Sequence, residues 1–422
     1  MGIDVLSLVI FAACIVLFVW DKLPMATTAI LGCVAMVIAG VCDFKTAFGQ
    51  FASSTVILTI GVMIIGASIS ETGLANAIGK WIVKVSKGSE TRLIIGTYLV
   101  SAIMSAFLTN SAVLAVFIPI IMGLSVSNTN LKAKNLIMPI AIGCVLGGTL
   151  TLVGSTQQMT AQGLLEDVGG RLFKTFDFVP IAGIVVIAGL IYCLTIGKKL
   201  GEKIWGSRVD DSEYEAAKEE KSFKKWKMIV MAIIFALTVV LYITEWIPLA
   251  ITSTLAALLC IITGCITQKK AIVSVNWNIV GRLAGCLGLA KALEAAGGTA
   301  LMADGFSRII GPSFSPFLLF CILILFVQIS GKFISNSTSI LIVLPILLAI
   351  APSMDLNVYS YALGITIASG CTLSCPLASS TLGMSMVVGY KFNDYFKYNL
   401  LLDIISFVII VITVPLFYGL TV

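Results

Sequence analysis

Two short polar strings, Thr109-Asn110-Ser111 and Ser335-Asn336-Ser337-Thr338, interrupt long apolar stretches of this chain, and each is followed, nine residues after its asparagine, by a proline (Pro119 and Pro345). Asparagine supplies one carbonyl acceptor and two N–H donors, while serine and threonine hydroxyls both donate and accept. Such a cluster can offer oxygens to a small cation and hydrogens to an anion. A helix starting at each string would turn its positive N-terminal end toward the break, which favours an anion. Carbonyls freed at the break suit Na+, a hard cation that prefers oxygen ligands. The plainer role for these side chains is hydrogen bonding between packed membrane helices. Polar breaks in a spanning segment persist where they are buried in protein or line a water-filled cavity, and paired breaks in two repeats point to a secondary transporter's binding site. These residue types therefore describe a carrier rather than an enzyme.

A second polar stretch follows each string: Gly154-Ser155-Thr156-Gln157-Gln158 in one half and Ala378-Ser379-Ser380-Thr381 in the other. Gly154 and Ala378 leave room for close backbone approach, and Ser155, Thr156, Ser379 and Ser380 add hydroxyls to the same site; alone, such a stretch also fits a loop at a helix end. Lys332 stands three residues before the second string, opposite Ala106 in the first. It reads either as a hairpin-turn lysine that snorkels to water, or as a charge compensator standing in for a cation or neutralising the substrate. Glu71 and Glu294 hold matching positions and read as capping or scaffold residues. Arg282 lies in the apolar run after Trp277, where pairing with Glu294 is one option. Asp394 and Asp403 flank the last apolar run and read as interfacial.

The elements that must position these residues are membrane helices. The 422 residues are 59% hydrophobic and 11% charged, with a mean hydropathy of +1.06. Roughly a dozen apolar runs approach the ~20 residues a helix needs to cross a bilayer. The fold class is all-α polytopic membrane protein. The first apolar run, preceded by no Lys or Arg, reads as an uncleaved helix rather than a secretory signal. The halves match at nearly constant spacing: Asp21-Lys22-Leu23-Pro24 with Glu245-Trp246-Ile247-Pro248, Glu71 to Ala75 with Glu294 to Gly298, Asn110 with Asn336, and Gly148 to Thr151 with Cys371 to Ser374. The chain is read as a fused duplication: membrane repeat 1 (residues 1–197), a charged connector (198–227) and membrane repeat 2 (228–422). The repeats are expected to be inverted, with re-entrant hairpins and broken helices. The connector holds nine basic and seven acidic residues, which places it in the cytoplasm by the positive-inside rule and argues against a nucleic-acid partner. The expected setting is a bacterial inner membrane. Eleven cysteines include no CxxC pair, and there is no histidine. Disulfide frameworks, zinc sites and imidazole relays are thereby disfavoured, and no organic cofactor is expected.

Ser/Thr-Asn-Ser/Thr strings at hairpin tips in two repeats, each followed by a proline-containing half-helix, resemble the divalent anion–sodium symporter family of the ion transporter superfamily. That resemblance implies an elevator-type carrier with a transport domain beside a dimerising scaffold, moving di- or tricarboxylates or sulfate with Na+ as a homodimer. Thr109, Asn110, Ser111, Ser335, Asn336, Ser337 and Thr338 would then hold substrate, with Ser155, Thr156, Ser379 and Ser380 walling the site. Ser105, Asn110 and Gly154 would face one Na+, and Gly331, Asn336 and Ala378 a second. The chain departs from the family where Thr-Pro-Pro-Asn is replaced by Ser155-Thr156-Gln157-Gln158 and by Ser379-Ser380-Thr381-Leu382, and at Lys332. The alternatives are an anion exchanger, a proton-coupled anion carrier, a related cation/proton antiporter or a metalloid efflux permease. An antiporter needs carboxylates at the breaks, and these hold neutral side chains. A passive channel would differ in showing no saturable counterflow.

Overall fold

The structure, a computed structural model, describes residues 2–20, 23–86, 89–127, 131–205, 223–301, 315–376 and 379–421. Among these residues every regular element is helical, apart from one isolated bridge between Leu356 and Thr421. The first half runs α1 (Ile3–Trp20), α2 (Met25–Ile38), α3 (Phe44–Phe48), α4 (Ser54–Thr72), α5 (Leu74–Val85), α6 (Glu90–Ser105), α7 (Asn110–Ser127), α8 (Ala133–Gly147), α9 (Thr156–Asp167), α10 (Val179–Tyr192) and α11 (Lys198–Trp205). The second runs α12 (Lys225–Thr244), α13 (Leu249–Ile262), α14 (Gln268–Ser274), α15 (Trp277–Ala295), α16 (Pro316–Ser330), α17 (Asn336–Ile350), α18 (Val358–Gly370), α19 (Ser380–Ser385) and α20 (Phe392–Tyr418).

The duplication is written into the backbone as well as the side chains. Pro24 and Pro248 precede α2 and α13 with nearly the same dihedrals (φ −53°, ψ 131° and φ −51°, ψ 139°), because proline fixes φ just before a helix start. Gly40 and Gly264 follow those helices with φ of 70° and 69°, and Gly73 and Gly297 follow α4 and α15 with φ of 78° and 79°. These left-handed positions are open to glycine at no steric cost. Asp43 and Thr267 cap the short helices α3 and α14 through their side chains.

The apolar helices differ in length. Among the described residues five are long and apolar enough to span, or six if the bent pair Gln268–Ser274 and Trp277–Ala295 (54°) counts as one. Other apolar helices, including Ala133–Gly147 and Pro316–Ser330, are shorter. The first part of the connector is helical. Residues 198–205 continue α10 as helix α11 through a π turn at Cys193–Gly197, and Trp205 stacks on Tyr398 with ring centroids 5.1 Å apart. Part of the expected connector, residues 206–222, lies outside the described residues.

The helices sort into two bundles. In one, α4 packs on α13 and α15 packs on α2, each pair joining the two halves. Small residues allow the approach: a Cβ on Gly61 would sit 2.7 Å from Ser253 Oγ, and one on Gly285 2.9 Å from Ala29 Cβ. The other bundle holds α6 to α11 and α16 to α20. Here α8 seats on α6 through Gly143 and Gly147, a small-xxx-small spacing. A Cβ on Gly147 would lie 2.3 Å from the Ala102 backbone.

Two helical hairpins, α6–α7 and α16–α17, enter this second bundle from opposite ends. The mouth of the first is held by Asn135 Nδ2 donating to Glu90 (3.0 Å), by Lys198 beside Glu90 (3.5 Å) and by Trp205 Nε1 donating to Asn135 (2.8 Å). The mouth of the second is held by Tyr361 donating to Pro316 O (2.6 Å), Asn357 Nδ2 donating to Tyr418 O (3.0 Å) and Tyr418 donating to Asp177 O (3.1 Å). The continuous helix Val179–Trp205 starts next to Asp177 and passes Glu90 at Lys198, so ~30 Å of helix at ~1.5 Å per residue separates the two mouths. The hairpin tips meet between them.

Candidate functional site

Four helices begin at the same place. Thr109, Asn110 and Ser111 start α7; Ser155, Thr156 and Gln157 start α9; Ser335, Asn336 and Ser337 start α17; and Ser379, Ser380 and Thr381 start α19. All twelve line one cavity of about 390 Å3, together with Met63, Val145, Gly154, Asn276, Ile279 and Arg282. Serine and asparagine at these positions are sound helix starters, since their short side chains accept from the unpaired N–H groups of a first turn. Ser335 Oγ, for example, accepts from Thr338 N at 3.3 Å.

The two repeats are stitched reciprocally across the cavity. Ser111 of the first tip bonds to Ser380 (2.9 Å) and Thr381 (3.3 Å) on the second broken helix. Ser337 of the second tip bonds to Thr156 (3.0 Å) on the first broken helix. Each asparagine is also held from behind within its own repeat: Ser105 Oγ donates to Asn110 Oδ1 (2.6 Å), and Thr372 Oγ1 donates to Asn336 Oδ1 (3.0 Å). Both amide groups are thereby turned so that their N–H2 donors remain available.

Behind the first tip, backbone oxygens converge. A Cβ on Gly154 would lie 2.6 Å from Gly148 O and 3.0 Å from both Ala106 O and Ser105 O. Ser155 Oγ and Gln158 Nε2 donate to Gly148 O (2.9 and 3.2 Å), and Thr151 Oγ1 donates to Ala106 O. Three carbonyl oxygens converge on Gly154, with Asn110 Oδ1 against the nearby Gly148, and oxygens are the donors a small hard cation takes. The second repeat differs. A Cβ on Gly331 would meet Thr372 Cγ2 and Val327 O at 2.9 Å, with Asn336 Oδ1 at 3.4 Å, and the next residue is Lys332. Its ammonium lies 3.0 Å from Asp403 Oδ2. Asp403 also accepts from Leu373 N (2.8 Å) and Ser374 N (3.3 Å) in the broken segment before α19.

Of the residues singled out in the sequence, Thr109, Asn110, Ser111, Gly154, Ser155, Thr156, Ser335, Asn336, Ser337, Ser379 and Ser380 come together at the cavity. Ser105 sits one shell behind Asn110, and Gly331 behind Asn336. Thr338 is not on the wall: it is buried, bonded to Ser335 and turned toward Met25 Sδ (3.0 Å). Lys332 is off the wall too, paired with Asp403. Ala378 lies outside the described residues. Asp403 and Asp394 are buried, at 3% and 2% exposure, so the interfacial reading of both is corrected. Asp394 accepts from Lys391 N at the start of α20. Glu294 pairs with Lys291 (3.2 Å), and Glu71 with Lys270 of the other half. Arg282 therefore does not bond to Glu294. Its Nη1 donates to Ser335 Oγ at 3.2 Å, which brings a residue of the first bundle into a site built mainly by the second.

Comparison with known proteins follows the same outline. The sequence profile of the citrate transporter family matches residues 15–326 and 239–421. The chain belongs to the citrate transporter family. An uncharacterized transporter of Haemophilus influenzae is 24% identical over 96% of this chain and 89% of its own length. The sodium-dependent dicarboxylate transporter SdcS of Staphylococcus saprophyticus is 21% identical, over 90% of this chain and 78% of its own. The transporter YfbS of Escherichia coli is 30% identical over 46% of this chain, and the match spans only 31% of that longer protein. Among solved structures, the YdaH transporter of Alcanivorax borkumensis shares the fold with a TM-score of 0.62 at 12% identity, covering 96% of this chain and 98% of its own. This family of membrane transporters is in keeping with the resemblance drawn from the polar strings.

Proposed function

We propose that this citrate transporter family member is a secondary active transporter of small organic anions of the di- and tricarboxylate class, coupled to Na+. One observation carries the reading: among the described residues, the first turns of four helices line a single cavity with one arginine and no carboxylate. The starts of the three longer helices, α7, α9 and α17, each contribute roughly half a positive charge, and the hydroxyl and amide groups supply directed donors for carboxylate oxygens. The cavity lies within the ~300–1,000 Å3 range of small-molecule sites. A cation or proton antiporter would place acidic groups here.

For Na+, the carbonyl cluster around Gly154 is the better supported site, with Ser105, Ala106, Gly148 and Asn110 as its oxygen donors. Sodium dependence in the relative SdcS is consistent with it. Lys332 and Asp403 give the second repeat an internal ion pair instead. That pair favours a second reading, an exchanger with weaker Na+ dependence. In the proposed cycle the hairpins are re-entrant and the second bundle moves against the first in an elevator motion, within a homodimer. Arg92, Lys132, Lys134, Lys198, Lys199 and Lys203 lie on the segments that form the mouth of the first hairpin, and this basic excess supports a cytoplasmic position for that mouth, in a bacterial inner membrane.

The test is a thermal-shift screen of purified protein against dicarboxylates, citrate, tartrate, sulfate and amino acids, in Na+ and in choline. A ligand that binds the folded state raises its apparent stability by mass action. A carboxylate shift restricted to Na+ is the expected result. The same shift in choline selects the exchanger, and the absence of any anion shift refutes the reading. Asn110→Ala and Asn336→Ala should each abolish uptake while leaving membrane insertion intact.

A further inference from the structure

We propose that Arg282 is a substrate-contacting cation supplied by the opposite bundle, which clamps one carboxylate of the anion against the second hairpin tip only when the two bundles stand as they do here. The inference rests on the organic-anion reading above and adds to it a recognition group and a dependence on conformational state.

Among the described residues Arg282 is the only ionisable one on the cavity wall. It lies on α15, whose main neighbours are α2 and α3 of the first bundle, and is partly exposed. A guanidinium carries five N–H donors in a fixed fork. This one makes a single conventional bond, Nη1 to Ser335 Oγ at 3.2 Å, with Met25 Sδ at 3.9 Å as a weak second neighbour. Among the described residues no carboxylate pairs with it, whereas Lys332, Lys291 and Lys270 are each matched to an acid. A permanent charge inside a membrane protein is costly unless something balances it. The counter-charge that fits a cavity of helix N-termini, and that pairs with a guanidinium two bonds at a time, is a carboxylate of the substrate.

Ser335 makes the contact depend on state. It caps α17 in the second bundle, and the groups expected to hold the anion (Ser111, Thr156, Asn336, Ser337 and Ser380) sit in the same bundle. From the first bundle Arg282 brings a charge to them, beside the uncharged Met63, Asn276 and Ile279. If the bundles slide past each other, the hydroxyl and amide groups travel with the anion and Arg282 stays behind. A cation present in one state and absent in the other strengthens binding on one side of the membrane and leaves the other free for release.

The experiment compares wild type with Arg282→Gln and Arg282→Lys in inside-out and right-side-out vesicles, with succinate and citrate as probes and thermal shift of the purified proteins as an independent binding readout. Arg282→Gln keeps a donor for Ser335, so loss of that bond alone is controlled for. Losing a charge-assisted carboxylate contact should raise KM by about 10- to 100-fold from one face, with less than a twofold change from the other. Arg282→Lys should recover part of the affinity, because the charge returns without the bidentate fork. Unchanged KM on both faces and unchanged thermal shift, with Asn110→Ala still inactive, would overturn the clamp and leave the anion reading standing. An equal rise on both faces would overturn the state dependence. A wild-type protein that binds neither probe nor any other anion would overturn both readings together.

Discussion

The ion pair between Lys332 and Asp403 offers the sharpest energetic test of how the second repeat is built. The ammonium and carboxylate are 3.0 Å apart, with side-chain exposures of 18% and 4%, and the carboxylate also takes N–H groups from Leu373 and Ser374. Removing one member of a buried pair costs ~3–5 kcal/mol because the other charge is left uncompensated. The remaining two N–H donors and the partial exposure of Lys332 argue for the lower end, so Lys332→Met should cost about 3 kcal/mol. Asp403→Asn keeps the acceptor for the backbone and leaves an ammonium that can reach toward water, so it should cost less, about 1–2 kcal/mol. The double variant should cost roughly 2 kcal/mol less than the two singles added together, since neither charge then remains to be stranded. For 422 residues, an unfolding entropy of ~2.1 cal/mol/K per residue gives about 0.9 kcal/mol/K, and Lys332→Met should lower Tm by roughly 3–4 °C. The assay is thermal unfolding of the purified protein for all four members of the cycle. Additive shifts would refute the pairing. If Lys332 instead compensates the substrate or stands in for Na+, Lys332→Met would change substrate charge selectivity or Na+ dependence while leaving Tm close to wild type.

Gly154→Ala should remove the Na+-dependent part of any ligand-induced thermal shift, because its Cβ would sit 2.6 Å from Gly148 O and 3.0 Å from two further backbone oxygens that cannot swing away; an intact Na+ response would dismiss the carbonyl cluster as an ion site. Thr156→Val and Ser380→Ala break the symmetric bonds to Ser337 and Ser111 (3.0 and 2.9 Å), and each should raise KM several-fold, from a hydrogen bond of about 1 kcal/mol; a response to one and none to the other would contradict the reciprocal arrangement. Gly147→Ala drives a Cβ to 2.3 Å from the Ala102 backbone and should destabilise by ~1–3 kcal/mol as overpacking. The control Gly183→Ala, with nothing nearer than 3.9 Å, should be neutral or slightly stabilising; equal melting of the two variants would refute close packing of α6 on α8.

What could be read from the sequence, and what could not, divides by the range of the physics. The tips were legible because Asn, Ser and Thr inside apolar runs violate the pattern a lipid-facing helix must keep, and they do so twice with nearly constant spacing. The duplication was legible for a related reason: Pro24 with Pro248 and Gly73 with Gly297 fix local backbone, and local geometry needs no knowledge of the rest of the chain. Thr338 shows a missed local rule. Ser335 and Thr338 stand in N-cap and N3 positions, so the threonine turns back to its own helix start and away from the wall, and the spacing alone could have said so. The partners of Lys332, Arg282 and Glu71 are a different matter. Asp403 is 71 residues from Lys332, Ser335 is 53 from Arg282, and Lys270 is 199 from Glu71, whereas sequence spacing speaks to neighbours three or four apart on one helix. For Arg282 the usable signal was an absence: no Asp or Glu lies within four residues of it. An arginine in an apolar run with no acid in reach is a charge whose balance must come from elsewhere in the fold or from outside the chain. Since its one conventional bond in the fold is to a neutral serine of the tip it faces, the second source is the one the site is built to accept.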